Sequence, residues 1–139
     1  VVTLVDSSAW IEFFRDTGSP AQRAIEGASK DGRQLAWTDM VALEVLAGAR
    51  NDAERDRLRR LVYGQHYLAA KGPADQESAA ELFRLCRRGG ETPRSLVDCL
   101  IAAIAIRHKA ELLCCDADFQ VIARHAPLRL APVSRTRPI

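Results

Sequence analysis

Eleven consecutive residues, Leu96–Ile106 (LVDCLIAAIAI), contain one charged side chain, Asp98. As helix this is about three turns, apolar on every side, and a helix of that kind has to be enclosed by other elements. It falls well short of the ~20 apolar residues needed to span a bilayer, so the chain itself must supply the enclosure. Its 139 residues suit one domain, and 47% apolar against 27% charged side chains exclude a disordered or collagen-like chain.

The rest of the sequence offers strands and helices in alternation. Val1–Val5, Gln34–Trp37, Tyr67–Ala70, Leu112–Cys115 and Leu128–Ala131 read as short strands. Between them lie helices over Ser8–Arg15, from Pro20 to about Ser29, from Thr38 or Asp39 through Ala49, from the Asn51 cap to about Gly64, and over Ala74–Arg88. Two more are expected from Arg94 to about Lys109, after a Thr92-Pro93 start, and over Ala117–His125. Ser19-Pro20 is the clearest helix start, with a capping hydroxyl and a proline at the first helical position. Strands separated by one or two helices imply a mostly parallel sheet with both faces covered. The expected fold is a three-layer α/β/α domain spanning residues 1–139, with about five short strands.

Within that frame, acidic residues stand where apolar ones are expected. Asp98 is the only charge in its helix, and Glu44 is the only charge in MVALEVLAGA. A lone buried carboxylate has to be paired, protonated or bound to a cation. Asp6 follows VVTLV and Asp116 follows LLCC, each at the threshold of a helix. In an open parallel sheet the strand C-termini share one edge, and ligands bind there. Asp6, Asp98 and Asp116 are therefore expected at one crevice, with Asp118 near enough to join. Asp6 and Asp116 could equally be plain helix caps, Asp118 could face the helix dipole, and Asp98 could pair with Arg94 four residues earlier. Carboxylates converging at ~4–6 Å repel by on the order of 1–4 kcal/mol per pair, which a cation relieves. Oxygen ligands without His or Cys select a hard ion, Mg²⁺ or Mn²⁺. His66, His108 and His125 have no metal spacing, and Cys86, Cys99, Cys114 and Cys115 form no C-x-x-C pair. No secretory signal is visible at the N-terminus, and the cysteines suit a reducing, cytoplasmic setting.

The VDSSAWI start, Glu44 in its apolar helix, the Asp98-Cys-Leu-Ile-Ala-Ala run and Cys115-Asp116-Ala-Asp118-Phe119 together resemble PIN-domain ribonucleases, above all VapC-type toxins of bacterial toxin–antitoxin pairs. The likeness spans nearly the whole chain in order and spacing. It implies an acidic site of Asp6, Glu44, Asp98 and Asp116, with Asp118 as an auxiliary metal-binding acid. Ser8 matches the family's small hydroxyl residue, which supports the site by hydrogen bonding. The resemblance further implies Mg²⁺- or Mn²⁺-dependent hydrolysis of RNA (tRNA or rRNA), a homodimer and a VapB-type antitoxin as partner.

Two other readings share the acidic residues. Asp116-Ala-Asp118 has the D-x-D form of haloacid-dehalogenase-like phosphatases, but there the motif follows the first strand. A receiver-like signalling domain would need a lysine just after a late strand, and Lys30, Lys71 and Lys109 do not sit there. For RNA contacts, Arg94 is the best placed of the arginines. The Arg55/Arg57/Arg59/Arg60 cluster alternates with acids and reads as a solvated helix face, the Arg135/Arg137 tail as a basic arm, and Trp10, Phe13 and Phe14 mainly as core. The net charge of +2 argues against binding nucleic acid by bulk charge. That total averages unlike regions: with the five site acids set aside, thirteen acids face twenty basic residues and the remainder carries +7.

Overall fold

A computed structural model describes residues 1–135. In chain order the elements are β1 (Val2–Val5), α1 (Ser7–Phe14), α2 (Pro20–Glu26), β2 (Gln34–Trp37), α3 (Asp39–Ala47) and α4 (Asp52–Tyr63), then β3 (His66–Tyr67), α5 (Ala74–Arg88), α6 (Leu96–Arg107), β4 (Glu111–Leu113), α7 (Ala117–His125) and α8 (Pro132–Arg135). Local chemistry sets several of the boundaries. Ser19 Oγ accepts from the Gln22 amide at 3.2 Å, with Pro20 at the first helical position, and Asn51 Oδ1 accepts from the Glu54 amide at 2.8 Å.

The four strands form one parallel sheet in the order β3-β2-β1-β4. The chain runs outward from β1 through β2 to β3, then crosses back to lay β4 on the other side of β1. Right-handed crossovers put the helices of outward and returning connections on opposite faces, giving three layers. The reversal also makes the gap between the C-terminal ends of β1 and β4 the topological switch point, the place where such sheets bind ligands. Asp6 leaves β1 there, its amide donating to Leu113 O of β4 at 2.9 Å.

Helix α6 is enclosed as its composition requires. Cys99 and Ile101–Ala105 are all buried, and they join Leu4, Val5, Leu112, Leu113, Phe119 and Ile122 in the core. Trp10 is fully buried and stacks with Phe14, with Phe13 edge-on, so the aromatic first helix packs inward.

Three expectations need correction. The segment Leu128–Ala131 makes only a single bridge, Leu130 to Leu112, so the sheet has four strands. The third strand is the two residues His66–Tyr67 and does not extend to Ala70. The helix bearing Asp98 begins at Leu96 rather than Arg94, because Ser95 is its N-cap. Arg137 of the basic tail lies outside the described residues.

Candidate metal centre

Each acid at the site is delivered by a helix start. Asp6 is the N-cap of α1: its Oδ2 accepts from the Ser8 amide at 3.1 Å and from Ser8 Oγ at 2.6 Å. Ser8 Oγ in turn accepts from the Cys115 amide at 2.9 Å, so one hydroxyl ties the end of β1 to the segment after β4. Asp116 is the N-cap of α7, with Oδ1 accepting from the Asp118 amide at 2.9 Å. The capping reading and the site reading of these two residues are therefore compatible, because a cap uses one carboxylate oxygen and leaves the other.

Asp98 lies in the first turn of α6, its amide donating to Ser95 Oγ at 3.3 Å. This first turn faces the crevice, and beyond it Cys99 and Ile101–Ala105 are buried. Asp98, Asp116 and Asp118 each offer a carboxylate oxygen, and these oxygens lie within 4.8 Å of one another. Burial, reinforced by the charges of Asp116, Asp6 and Asp118, pushes the Asp98 carboxyl up to about 8. Asp6 is pushed up to about 6, chiefly by burial and with a contribution from Glu44, against the Ser8 hydrogen bonds that hold it down. Like charges in a desolvated pocket resist ionising together.

Asp6 carries the observation that bears most directly on a cation. Its Oδ1 is buried and has no hydrogen-bond partner among the described residues. A buried carboxylate oxygen without a donor is costly, and a hard divalent cation is the partner that an all-oxygen set fits. The donor set therefore suits Mg²⁺ or Mn²⁺.

The remaining expected residues take distinct places. Glu44 is exposed rather than enclosed, because α3 turns Val41, Ala42 and Val45 inward and leaves Leu43 and Glu44 outside. It still reaches the rim of the site, accepting from Ser7 Oγ at 3.1 Å. Asp118 is buried, and its Oδ2 accepts from the amides of Arg94 and Ser95, both at 2.9 Å. It thus clamps the start of α6 as well as facing the cluster. The i, i+4 pairing of Arg94 with Asp98 does not form, since Arg94 precedes the helix. Its exposed guanidinium lies 3.5 Å from Asp118 and 4.0 Å from Asp116. Ser95 was not singled out from the sequence, although Ser95…Asp98 has the spacing of a capping box. The Ser7–Glu44 bond and the Ser8–Cys115 bond join distant segments and leave no local sign.

Residues 3–125 match the model of the PIN domain. The chain is 45% identical over 129 residues to VapC ribonuclease Mb1587 of Mycobacterium bovis and likewise to Ribonuclease VapC11 of Mycobacterium tuberculosis, covering 92% of this chain and 96% of each relative. Among solved structures it shares the fold of VapBC2 from Rickettsia felis bound to a promoter DNA fragment (TM-score 0.74, 15% identity, 94% of this chain and 98% of that one). It also shares the fold of VapC20 of Mycobacterium tuberculosis, a sarcin-ricin-loop-cleaving toxin (TM-score 0.64, 16% identity, 91% and 98%). The sheet that reverses at β1, the acids gathered at its switch point and the identity along nearly the full length lead to one assignment: the chain belongs to the PIN-domain family and, within it, to the VapC ribonucleases.

Proposed function

We propose that this chain is the toxin of a toxin–antitoxin pair, an endoribonuclease that uses Mg²⁺ or Mn²⁺ to hydrolyse RNA phosphodiester bonds. Asp6, Asp98 and Asp116 would hold the ion, with Glu44 at the rim acting directly or through water, and Asp118 as an auxiliary acid. The observation that carries this reading is the carboxylate cluster of buried Asp98 and Asp118 with half-buried Asp116, whose oxygens lie within 4.8 Å of one another. A bound divalent ion supplies an acidified water and charge stabilisation for the scissile phosphate.

The chain's own residues do the rest. Ser8 orients Asp6 through its 2.6 Å bond and leaves Oδ1 turned away from the cap. Asp118 fixes the first turn of α6 and with it the position of Asp98. Arg94, exposed beside Asp116 and Asp118, is suited to a phosphate of the bound RNA. Attack by water rather than by a ribose 2′-oxygen leaves a 5′-phosphate and a 3′-hydroxyl.

The partners follow from the same reading: RNA (tRNA or rRNA) as substrate, a VapB-type antitoxin, and a second copy of the chain. Leu43 on α3 and Leu96 at the start of α6 are 59% and 65% exposed, apolar surface of the kind that partners cover. No helix among the described residues is long and apolar enough to cross a membrane, and the cytoplasm is the compartment this reading requires. The test is to map the 5′ ends of cellular RNA after expressing this chain beside its Asp98→Asn variant. New 5′-phosphate ends in the wild-type sample alone support the assignment, and equal cleavage by both chains overturns the role given to Asp98.

A further inference from the structure

The acidic centre occupies one end of the sheet's C-terminal edge; the other end of that edge carries a feature that metal chemistry does not use. Trp37, the last residue of β2, stacks on Tyr67 of β3 with ring centroids 4.4 Å apart and planes 28° from parallel. On Trp37 also sits Tyr63, from the last turn of α4, with centroids 4.6 Å apart. Trp37 is anchored from below, its indole N–H donating to Gln65 O at 3.2 Å. Tyr67 is braced by its hydroxyl on Asp39. Both tyrosines remain open, 44% and 46% exposed, although aromatic rings of this size are ordinarily drawn into a core.

Basic residues border the rings. Arg59 and Arg60 share an open groove with Asp56 and Tyr63. Arg55 is tied to Asp52 and Asp56, and Arg57 lies in the field of Glu54, but Arg59 and Arg60 make no ion pair or side-chain hydrogen bond among the described residues. The helix face that reads as solvated in sequence therefore leaves the guanidiniums of Arg59 and Arg60 without an ion pair among the described residues, in the groove they share with Tyr63. Exposed rings accept bases by stacking, free guanidiniums accept phosphates, and together they form the usual surface for single-stranded nucleic acid. Duplex RNA, whose bases are already stacked on one another, has no use for the rings.

The location connects this surface to the reaction. Strand β3 lies two places from β1, so at ~4.8 Å per strand the end of β3 is roughly 10 Å from the end of β1 where Asp6 sits. That is the span of one or two nucleotides along an extended strand. We propose that the Trp37–Tyr63–Tyr67 stack with Arg59 and Arg60 is a subsite for an unpaired stretch of the RNA substrate, holding bases a short distance from the scissile bond. The proposal rests on the ribonuclease reading and adds to it the place in the fold where bases beside the cut are held.

The test compares wild type with Tyr63→Leu, Tyr63→Phe and the double variant Arg59→Gln/Arg60→Gln. Each is assayed on a single-stranded RNA oligonucleotide and on bis(p-nitrophenyl) phosphate, a small phosphodiester with no base to stack at a distance. Circular dichroism and melting curves confirm that each variant folds. Tyr63→Leu and the double arginine variant should raise KM for the RNA about tenfold with kcat and small-diester turnover unchanged. Tyr63→Phe, which keeps the ring, should retain the wild-type KM. Wild-type KM in both altered variants overturns the subsite while leaving the ribonuclease assignment standing. Unchanged KM with a shift in oligomeric mass by light scattering assigns the stack to a contact between copies and also overturns it. A wild-type chain that cleaves neither substrate in the presence of Mn²⁺ overturns the ribonuclease reading and this one with it.

Discussion

Asp98, the acid to which the proposed reaction gives a metal-holding role, is also the one whose ionisation the fold opposes most strongly. In the metal-free chain its carboxyl titrates near 8 and that of Asp6 near 6, both above the value of 3.8 for an ordinary aspartate. Between those limits the folded state binds more protons than the unfolded state, so stability falls as pH rises. With chelator present, the melting temperature should drop from pH 5 to pH 8, most of the Asp6 contribution being lost by about pH 6 and that of Asp98 by about pH 8. Adding Mn²⁺ at pH 8 should restore it. The acids whose values are lowered, Glu54 by Arg50, Asp75 by Arg107, Glu91 by Arg124 and His125, and Glu111 by Arg33 and Thr3, titrate below this window and do not mask the trend. A melting temperature that climbs across the window would contradict the buried-cluster account. By the same logic Asp98→Asn should abolish RNA cleavage yet stabilise the metal-free protein at pH 8 by about 1–4 kcal/mol, since burial and the charges of Asp116, Asp6 and Asp118 no longer oppose an ionised carboxylate there. Calorimetry with chelator reads this directly.

Helix starts and ends position the site, and they carry the predictions at the next scale. Asp118 Oδ2 takes two half-buried backbone amides at the start of α6. Asp118→Ala strands both donors and should cost about 2–3 kcal/mol in urea unfolding, whereas Asp118→Asn keeps an acceptor and should lose much less. Equal losses in the two variants would show that the clamp is electrostatic and not a matter of hydrogen bonding. At the far end of the preceding helix, Gly89 caps α5 against the ring of His125. A Cβ placed on Gly89 would come within 2.4 Å of His125 Cε1. That ring cannot simply swing away, because His125 Nε2 lies 2.8 Å from Glu91 Oε1 and Arg124 binds the same carboxylate. Gly89→Ala should therefore destabilise by roughly 1–3 kcal/mol, with the loss reduced when His125→Ala is made beside it. These boundaries were legible in the sequence where one residue announces them, as at Ser19-Pro20 and Asn51. They were displaced where two signals competed. Thr92-Pro93 suggested the start of the helix that Ser95 in fact caps, and the difference removes the Arg94–Asp98 pair.

Across the whole molecule, charge is sorted rather than balanced. The acids of the centre gather at the β1–β4 switch point, while Arg59 and Arg60, without an ion pair among the described residues, share a groove with Tyr63 on α4. Binding of RNA should weaken steeply with salt in proportion to the phosphates neutralised, at ~0.7 per contact in the log–log slope for single strands. Arg59→Gln/Arg60→Gln should flatten that slope by about one or more. An unchanged slope would mean that those guanidiniums meet no phosphate.

The sequence by itself determined the alternation of strands and helices, the parallel sheet, the enclosure of Leu96–Ile106 and the oddity of Asp6, Asp98 and Asp116. Each of these depends on local periodicity or on one polar residue among apolar neighbours, which any reader of the chain can see. Only the tertiary structure decided that the sheet has four strands, that Glu44 stands at the rim, and that Asp118 clamps a helix start 23 and 24 residues away. It alone stacked Tyr63 and Tyr67 on Trp37. Such outcomes turn on which segments meet across the sheet, and a hydrogen bond or a ring contact between distant positions leaves no mark on either position alone.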